Sequence, residues 1–300
     1  MIPKTRWSFI LCALASCCAA ACGSSTPTCG EGYDNVPSLI SEEELNTYLV
    51  SSIGIDELAV DDGEHNTLVQ AHFSDFSDYS VILAPRMDFR DYPACYVITG
   101  KPEISGAPIP MHVDSVAFTG LTEEVLLLPD ENGNLPPELL PVRGFAAEQI
   151  GIEVSSGSED GDFPAFEDFV AAPAMPVLEA VDGRSYEALR EDCAIGIAID
   201  RVEPLRVEWE PAEGDYVEFK IIPNSGASTD YMKLRCITFD DGCLEVPPGA
   251  LGNLALDAAT NFRLRLERHR FTLHSIKSGD EVEAAALIDA SASMETLVTR

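Results

Sequence analysis

Residues 233–248 read KLRCITFDDGCLEVPP, with Cys236 and Cys243 on either side of Asp240-Asp241-Gly242. Three chemistries suit these residue types. Converging carboxylates hold a hard cation, paired carboxylates move protons, and cysteines in an oxidising compartment form disulfides. Asp-Gly is also an ordinary turn signal, and the stretch is expected to be a hairpin between two β runs. A two-residue turn at Asp241-Gly242 would set Asp240 opposite Cys243 and Cys236 opposite Pro247. The cysteines would then be too far apart to bond, since a disulfide needs Cα atoms within about 7 Å. A wide loop would permit that bond; a tight turn would send Cys236 to Cys193 or Cys95. Cys95, Cys193, Cys236 and Cys243 are the candidate disulfide cysteines, with the pairing open. Five cysteines follow Cys22, and Cys29 is expected to be the one left over.

Other acidic clusters have the residue types that hold calcium. DENGNLPPELLP (130–141) opens like an EF-hand loop with Asp130, Asn132 and Asn134. It then places Leu135 where the turn glycine belongs and Pro141 where the bidentate glutamate belongs. Calcium, if any cofactor is bound, is expected at 158–162, with Asp160 and Asp162 as oxygen donors. No zinc pattern is present, because the histidines at 65, 72, 112, 269 and 274 form no HExxH and sit beside no paired cysteines. His269 and His274 are expected as exposed strand residues. No nucleophile elbow, Walker loop or dinucleotide fingerprint is found. A catalytic pair built from distant carboxylates stays open, and the reading leans away from an enzyme.

Composition bounds the partners. With 51 acidic against 19 basic residues the formal charge is −32, which repels nucleic acid and anionic headgroups. Nucleic acid is therefore not expected as a partner. The N-terminus offers another route to a membrane. Lys4 and Arg6 precede an uncharged run from Trp7 to Ala21, which reads as an export signal. LASC (14–17) and AAAC (19–22) resemble the lipobox of bacterial lipoproteins. That resemblance implies cleavage before the cysteine, a diacylglyceryl group on its sulfur, and location in the cell envelope, at the outer membrane. Cys22 is the preferred lipidated residue because GSST after it resembles a tether; Cys17 is the alternative.

The elements that must position these residues are strands. Residues 1–21 are assigned to the signal peptide, 22–40 to a flexible tether, and 41–172 and 173–300 to two β domains. SEEELNTYL (41–49) carries a capping-box pattern for a short helix. TLVQAHF alternates, with Val69, Ala71 and Phe73 on one side, and CYVITG, SVAFTG, EVLLLPD and EQIGIEV are further short strand runs. Downstream, PLRVEWEP and DYVEFKII flank PAEG, which suits a hairpin, and the strands after them read as an antiparallel meander. EVEAAALIDAS fits a strand or a short helix. In RLRLERHR (263–270), Phe262, Leu264 and Leu266 should face the core, while Arg263, Arg265 and Glu267 project the other way. Pairing of these arginines with Glu208, Glu210 or Glu218 is preferred to docking of an anionic partner. Trp209, Phe219 and Phe239 are expected in the core.

The expected fold is therefore mainly β. It is an antiparallel β-sandwich, immunoglobulin-like in architecture but not a true immunoglobulin domain, since only about two strands fit between Trp209 and Cys236. Residues 163–290 also resemble β-rich domains of uncharacterised envelope lipoproteins of myxobacteria-like bacteria, on Trp209, Leu234, Cys236, Asp240, Asp241, Gly242, Val246 and Pro247. That implies a shared fold and envelope location, and no activity. The functional expectation is a lipid-anchored envelope protein that binds an unknown protein or glycan or serves structurally. The alternative is a secreted carbohydrate-active protein, either a glycan-binding module or a glycoside hydrolase.

Overall fold

The computed structural model describes residues 29, 50–60, 63–75, 94–98, 109–156, 163–191, 203–223, 233–252, 261–278 and 281–299. Cys17, Cys22, Cys193, Asp160, Asp162 and the expected helix at 41–49 lie outside these residues. The first elements are β1 (Val50–Val60), β2 (His65–His72), β3 (Ser74–Asp75), β4 (Ala94–Ile98), β5 (Ile109–Pro110), β6 (Val113–Thr119) and β7 (Val125–Leu127). There follow β8 (Glu138–Leu140), β9 (Gln149–Ser156), β10 (Phe166–Ala171), β11 (Leu178–Val181), β12 (Arg184–Ser185) and the helix α1 (Tyr186–Glu191). The chain continues through β13 (Leu205–Trp209), β14 (Tyr216–Pro223), β15 (Lys233–Thr238), β16 (Cys243–Val246), the helix α2 (Pro248–Gly252), β17 (Asn261–Ser278) and β18 (Glu281–Thr299).

The protein is mainly β, as the alternating patterns imply. One broad sheet runs β4-β15-β14-β17-β18-β1-β2-β8. Its pairings are antiparallel except β1 with β18, which run parallel. Two four-stranded sheets, β10-β9-β6-β7 and β12-β11-β13-β16, supply the second layer. The period of two decides which side of the broad sheet they cover. Val69 and Ala71 of β2, Ile53 and Ile55 of β1, and Ile288 and Ala290 of β18 are buried with Val116, Phe118, Ile150 and Ile152 in one core. Phe262, Leu264 and Leu266 of β17 and Val217, Phe219 and Ile221 of β14 are buried with Trp209, Val207 and Leu244 in the other. In the register of β17 against β18, Leu266 stands opposite Met294 and Thr272 opposite Ile288, so both cores lie on the same face of the broad sheet.

The boundary placed at 172 falls between these two cores. The broad sheet, however, takes β1, β2, β4 and β8 from before it and β14, β15, β17 and β18 from after it. The continuous piece is the β17–β18 ribbon. At about 3.3 Å per residue, the 18 residues of β17 extend roughly 60 Å, enough to underlie both cores. EVEAAALIDAS lies inside β18, so its alanines serve close strand packing rather than a helix.

Neither expected hairpin forms. β15 lies in the broad sheet and β16 in the sheet with β13, so Asp240–Gly242 carries the chain from one layer to the other. PAEG does the same between β13 and β14. One carboxylate joins both crossings. Asp240 accepts hydrogen bonds from Trp209 Nε1 (2.9 Å), Gly214 N (2.9 Å) and Ala212 N (3.2 Å). It also pairs with Arg268 through Nε (2.6 Å) and Nη2 (3.1 Å). Arg268 spends its other donors on Ala174 O and Glu210 O. Gly242 at φ +95 supplies the left-handed backbone of the turn, and its carbonyl accepts from Trp209 N at 2.9 Å.

Cys236 bonds to Cys95, directly opposite on β4. Cys29, expected to be left over, bonds to Cys243 at a sequence separation of 214. Spacing cannot reveal a partner that far away. His274 is not an exposed strand residue either. It pairs with Asp168 at 2.7 Å and stacks on Phe166 at 4.5 Å, fastening β10 to the ribbon.

Removing Asp240 would leave the Arg268 guanidinium, only 2% exposed, without its counter-ion. Asp240→Ala is expected to cost about 3–5 kcal/mol in urea unfolding, and exposed Asp241→Ala less than about 1 kcal/mol. Equal costs would contradict this reading of the corner.

Candidate functional site

The face of the broad sheet opposite the two cores carries charge. Alternation along β17 sends Arg263, Arg265, Glu267 and His269 to this face while Phe262, Leu264 and Leu266 enter the core, as expected. The register then brings up their partners. Lys220 stands opposite Arg265, Glu218 opposite Glu267 and Tyr216 opposite His269 on β14. On the other side, Glu295 stands opposite Arg265 and Ser291 opposite His269 on β18, with Asp56 of β1 next to Ser291.

These groups form a connected network. Arg265 donates through Nε to Glu295 (2.9 Å) and through Nη1 to Glu267 (3.3 Å). Lys220 Nζ lies 2.9 Å from Glu218 Oε2 and also contacts Glu267, and Arg235 contacts Glu218. His269 Nδ1 shares a hydrogen bond with Asp289 at 3.1 Å. The His269 ring stacks on Tyr216 with centroids 4.3 Å apart and planes 7° from parallel. Ser291 Oγ donates to Asp56 at 2.7 Å.

The arginine stripe is thus paired, as the spacing implied, but mostly with other partners. Arg263 and Arg265 reach Glu295, and Glu218 goes to Lys220 and Arg235. His269, expected on the surface, is buried at 4% exposure. No local motif marks it, because Tyr216 and Asp289 arrive from two other strands, β14 and β18.

Burial sets the electrostatics. It works against ionised Glu267, yet Lys220 and His269 hold that carboxyl well below the usual range. Burial also works against charged His269, and Asp289 and Glu267 overcome it and raise the imidazole above its ordinary value. Asp56 goes the other way. Burial raises its carboxyl, Ser291 opposes the rise, and the charges of Asp289 and Glu267 add to it while His269 opposes.

A groove of about 390 Å³ opens beside this network, lined by Asp56, Asn66, Gln70, Lys220, Arg265 and His269, among others. The turn at Asp130 needs no cation to explain it: Oδ1 accepts from Asn132 N (2.8 Å) and Asn134 N (2.9 Å). Trp209 and Phe219 are buried in the core, as expected, whereas Phe239 is only half-buried and lies outside it, and Tyr216 is buried against His269.

No known protein family matches the chain, and no curated protein matches it. Among solved structures it is similar to a chain from a 1.5-MDa bacterial ice-binding adhesin described for host cell surface retention. That similarity has a TM-score of 0.19 and 12% identity, over 85% of this chain and 65% of the other. Overlap this shallow carries no inference about binding. Among the described residues no helix is long and apolar enough to cross a membrane.

Asp56 gives a pH test with a definite sign. Its folded carboxyl holds a proton more tightly than the unfolded one, so stability falls as pH rises through the ordinary carboxylate range toward the raised value. Asp56→Asn stays neutral and can still accept from Ser291. It should be more stable than wild type in urea at pH 7 and no more stable at pH 3. The same difference at both values would contradict a raised Asp56.

Proposed function

We propose that this chain is an exported envelope lipoprotein, anchored by a lipid on Cys22, that uses the groove on its broad sheet to bind a glycan. The groove is the observation that carries the reading. Its lining mixes carboxylates, amides, hydroxyls and cations, and sugar hydroxyls both donate and accept hydrogen bonds. A strongly anionic ligand would be opposed by the net charge of −32. The groove carboxylates already have partners: Glu267 with Lys220, and Asp56 with Ser291 and Gln70. That suits positioning of a bound ligand better than proton transfer to one.

The lipobox resemblance supports the anchor, and the Cys29–Cys243 disulfide gives it a consequence. Cys29 lies seven positions after Cys22, a stretch that spans at most about 24 Å. The start of β16 would then stand close to the bilayer. β16 belongs to the layer stacked on one face of the broad sheet, and the groove opens on the other face. The ligand would approach from the side away from the membrane.

Two experiments test the two parts separately. Palmitate-analogue labelling should persist in Cys17→Ala and vanish in Cys22→Ala; label retained in the double variant would overturn the anchor. On a glycan array the unlipidated chain should bind a defined set of glycans. Asn66→Ala combined with Gln70→Ala should weaken that binding by about tenfold, the order expected from losing two hydrogen-bonding groups. A blank array would overturn the ligand reading and leave the anchor intact.

A further inference from the structure

Glu218, Glu267 and His269 are all buried, and one ligand-type atom from each lies within 4.8 Å of the others. Strand geometry explains why they meet. Glu267 and His269 are two residues apart on β17 and so share a face, and Glu218 of β14 is directly opposite Glu267. Acidic neighbours alone would mean little in a chain this acidic. The histidine supplies a second, independent observation. Its Nε2 is buried without a hydrogen-bond partner and points at Glu267 Oε2 from 3.6 Å, too long for a hydrogen bond. Two ligand atoms about 2.1 Å from one tetrahedral ion stand roughly 3.4 Å apart. The gap between Nε2 and Oε2 fits an ion shared between them.

The ring is also held as a metal ligand is held. Asp289 engages Nδ1 at 3.1 Å, which leaves Nε2 directed at the glutamates, and Tyr216 stacking fixes the ring plane. A carboxylate behind a ligating imidazole is the usual support of such sites. We propose that Glu218, Glu267 and His269 form a binding site for a first-row divalent cation, with Zn²⁺ as the probe and Asp289 positioning the imidazole. One nitrogen and two carboxylate ligands suit Zn²⁺ better than Ca²⁺, which takes oxygen alone.

Lys220 is the competitor at the oxygens facing the histidine. Its ammonium bridges the same two glutamates, so a metal must displace it, while Arg265 and Arg235 pair with the other oxygens, Glu267 Oε1 and Glu218 Oε1. The unbranched stem lines the groove, and the head can turn into that space as the ion binds. The cation also takes the place of any proton on Nε2. The site lies in the groove wall but does not depend on the ligand proposed for the groove; a blank glycan array would leave it standing.

The test is calorimetric titration of ZnCl₂ into the EDTA-treated, dialysed chain, with circular dichroism confirming the fold of each variant. One equivalent should bind to wild type. Glu267→Gln and His269→Ala should each weaken it at least tenfold, and Lys220→Met should tighten it roughly tenfold by removing the competing charge. Should His269→Ala fail to fold, Co²⁺ loaded into wild type should give the visible absorption of an imidazole-bound, tetrahedral ion, and Lys220→Met should give it at lower Co²⁺. No binding to wild type, binding unchanged in folded His269→Ala, or weaker binding by Lys220→Met would each overturn the site.

Discussion

The long pairing of β17 with β18 is the constraint from which the rest of the structure follows. The register runs from Asn261 opposite Thr299 to Ser278 opposite Glu281 with one irregularity near Ile276. On one side, Phe262, Leu264 and Leu266 of β17 enter one core and Ala286, Ile288 and Ala290 of β18 enter the other, with Arg268 at the Asp240 corner between them. A slip of one residue would exchange that side for the charged one. Arg265, Glu267 and His269 would then be forced among Trp209, Val217 and Phe219. The register is therefore held by hydrophobic burial on one face and by charge pairing on the other.

The charged face has an energetic cost of its own. Taking Glu218, Glu267 and His269 out of water is unfavourable, and ion pairing recovers that cost only with good geometry. Hydrophobic residues would fill these places at least as well. The retained network shapes a polar groove on an otherwise ordinary sheet, and binding is the use to which such a groove is suited. The corner at Asp240 is the contrasting case. Its carboxylate is saturated by Trp209, Gly214, Ala212 and Arg268, leaving no capacity for a ligand, so the most conspicuous acidic motif of the sequence is structural.

Much of the β framework was legible because alternation reports one buried face. Val69 and Ala71, or Leu264 and Leu266, declare their side directly. Which strands pair was not legible. The turn at Asp240–Gly242 looks like a hairpin, yet chemistry that closes a hairpin also serves a crossing between layers; what distinguishes them is that β15 and β16 join different sheets. Asp182-Gly183, by contrast, does close a tight hairpin, with φ of 52 and 71 and Val181 opposite Arg184. The site was less legible still. Asp56, Glu218, Glu267 and Asp289 come from β1, β14, β17 and β18, and only the register assembles them. The disulfide between Cys29 and Cys243 is hidden for the same reason.

Two cores on one continuous sheet should behave as one cooperative unit. Native-state hydrogen exchange at increasing urea tests this most directly, read for both halves of the chain. Amides of β17 and β18 should be among the last to exchange, and those of β9 and β14, from the two separate cores, should open with the same free energy and urea dependence. Opening of β9 and β6 at low urea while β14 and β17 stay protected would show that the two halves fold independently, and would contradict a structure organised around the shared ribbon.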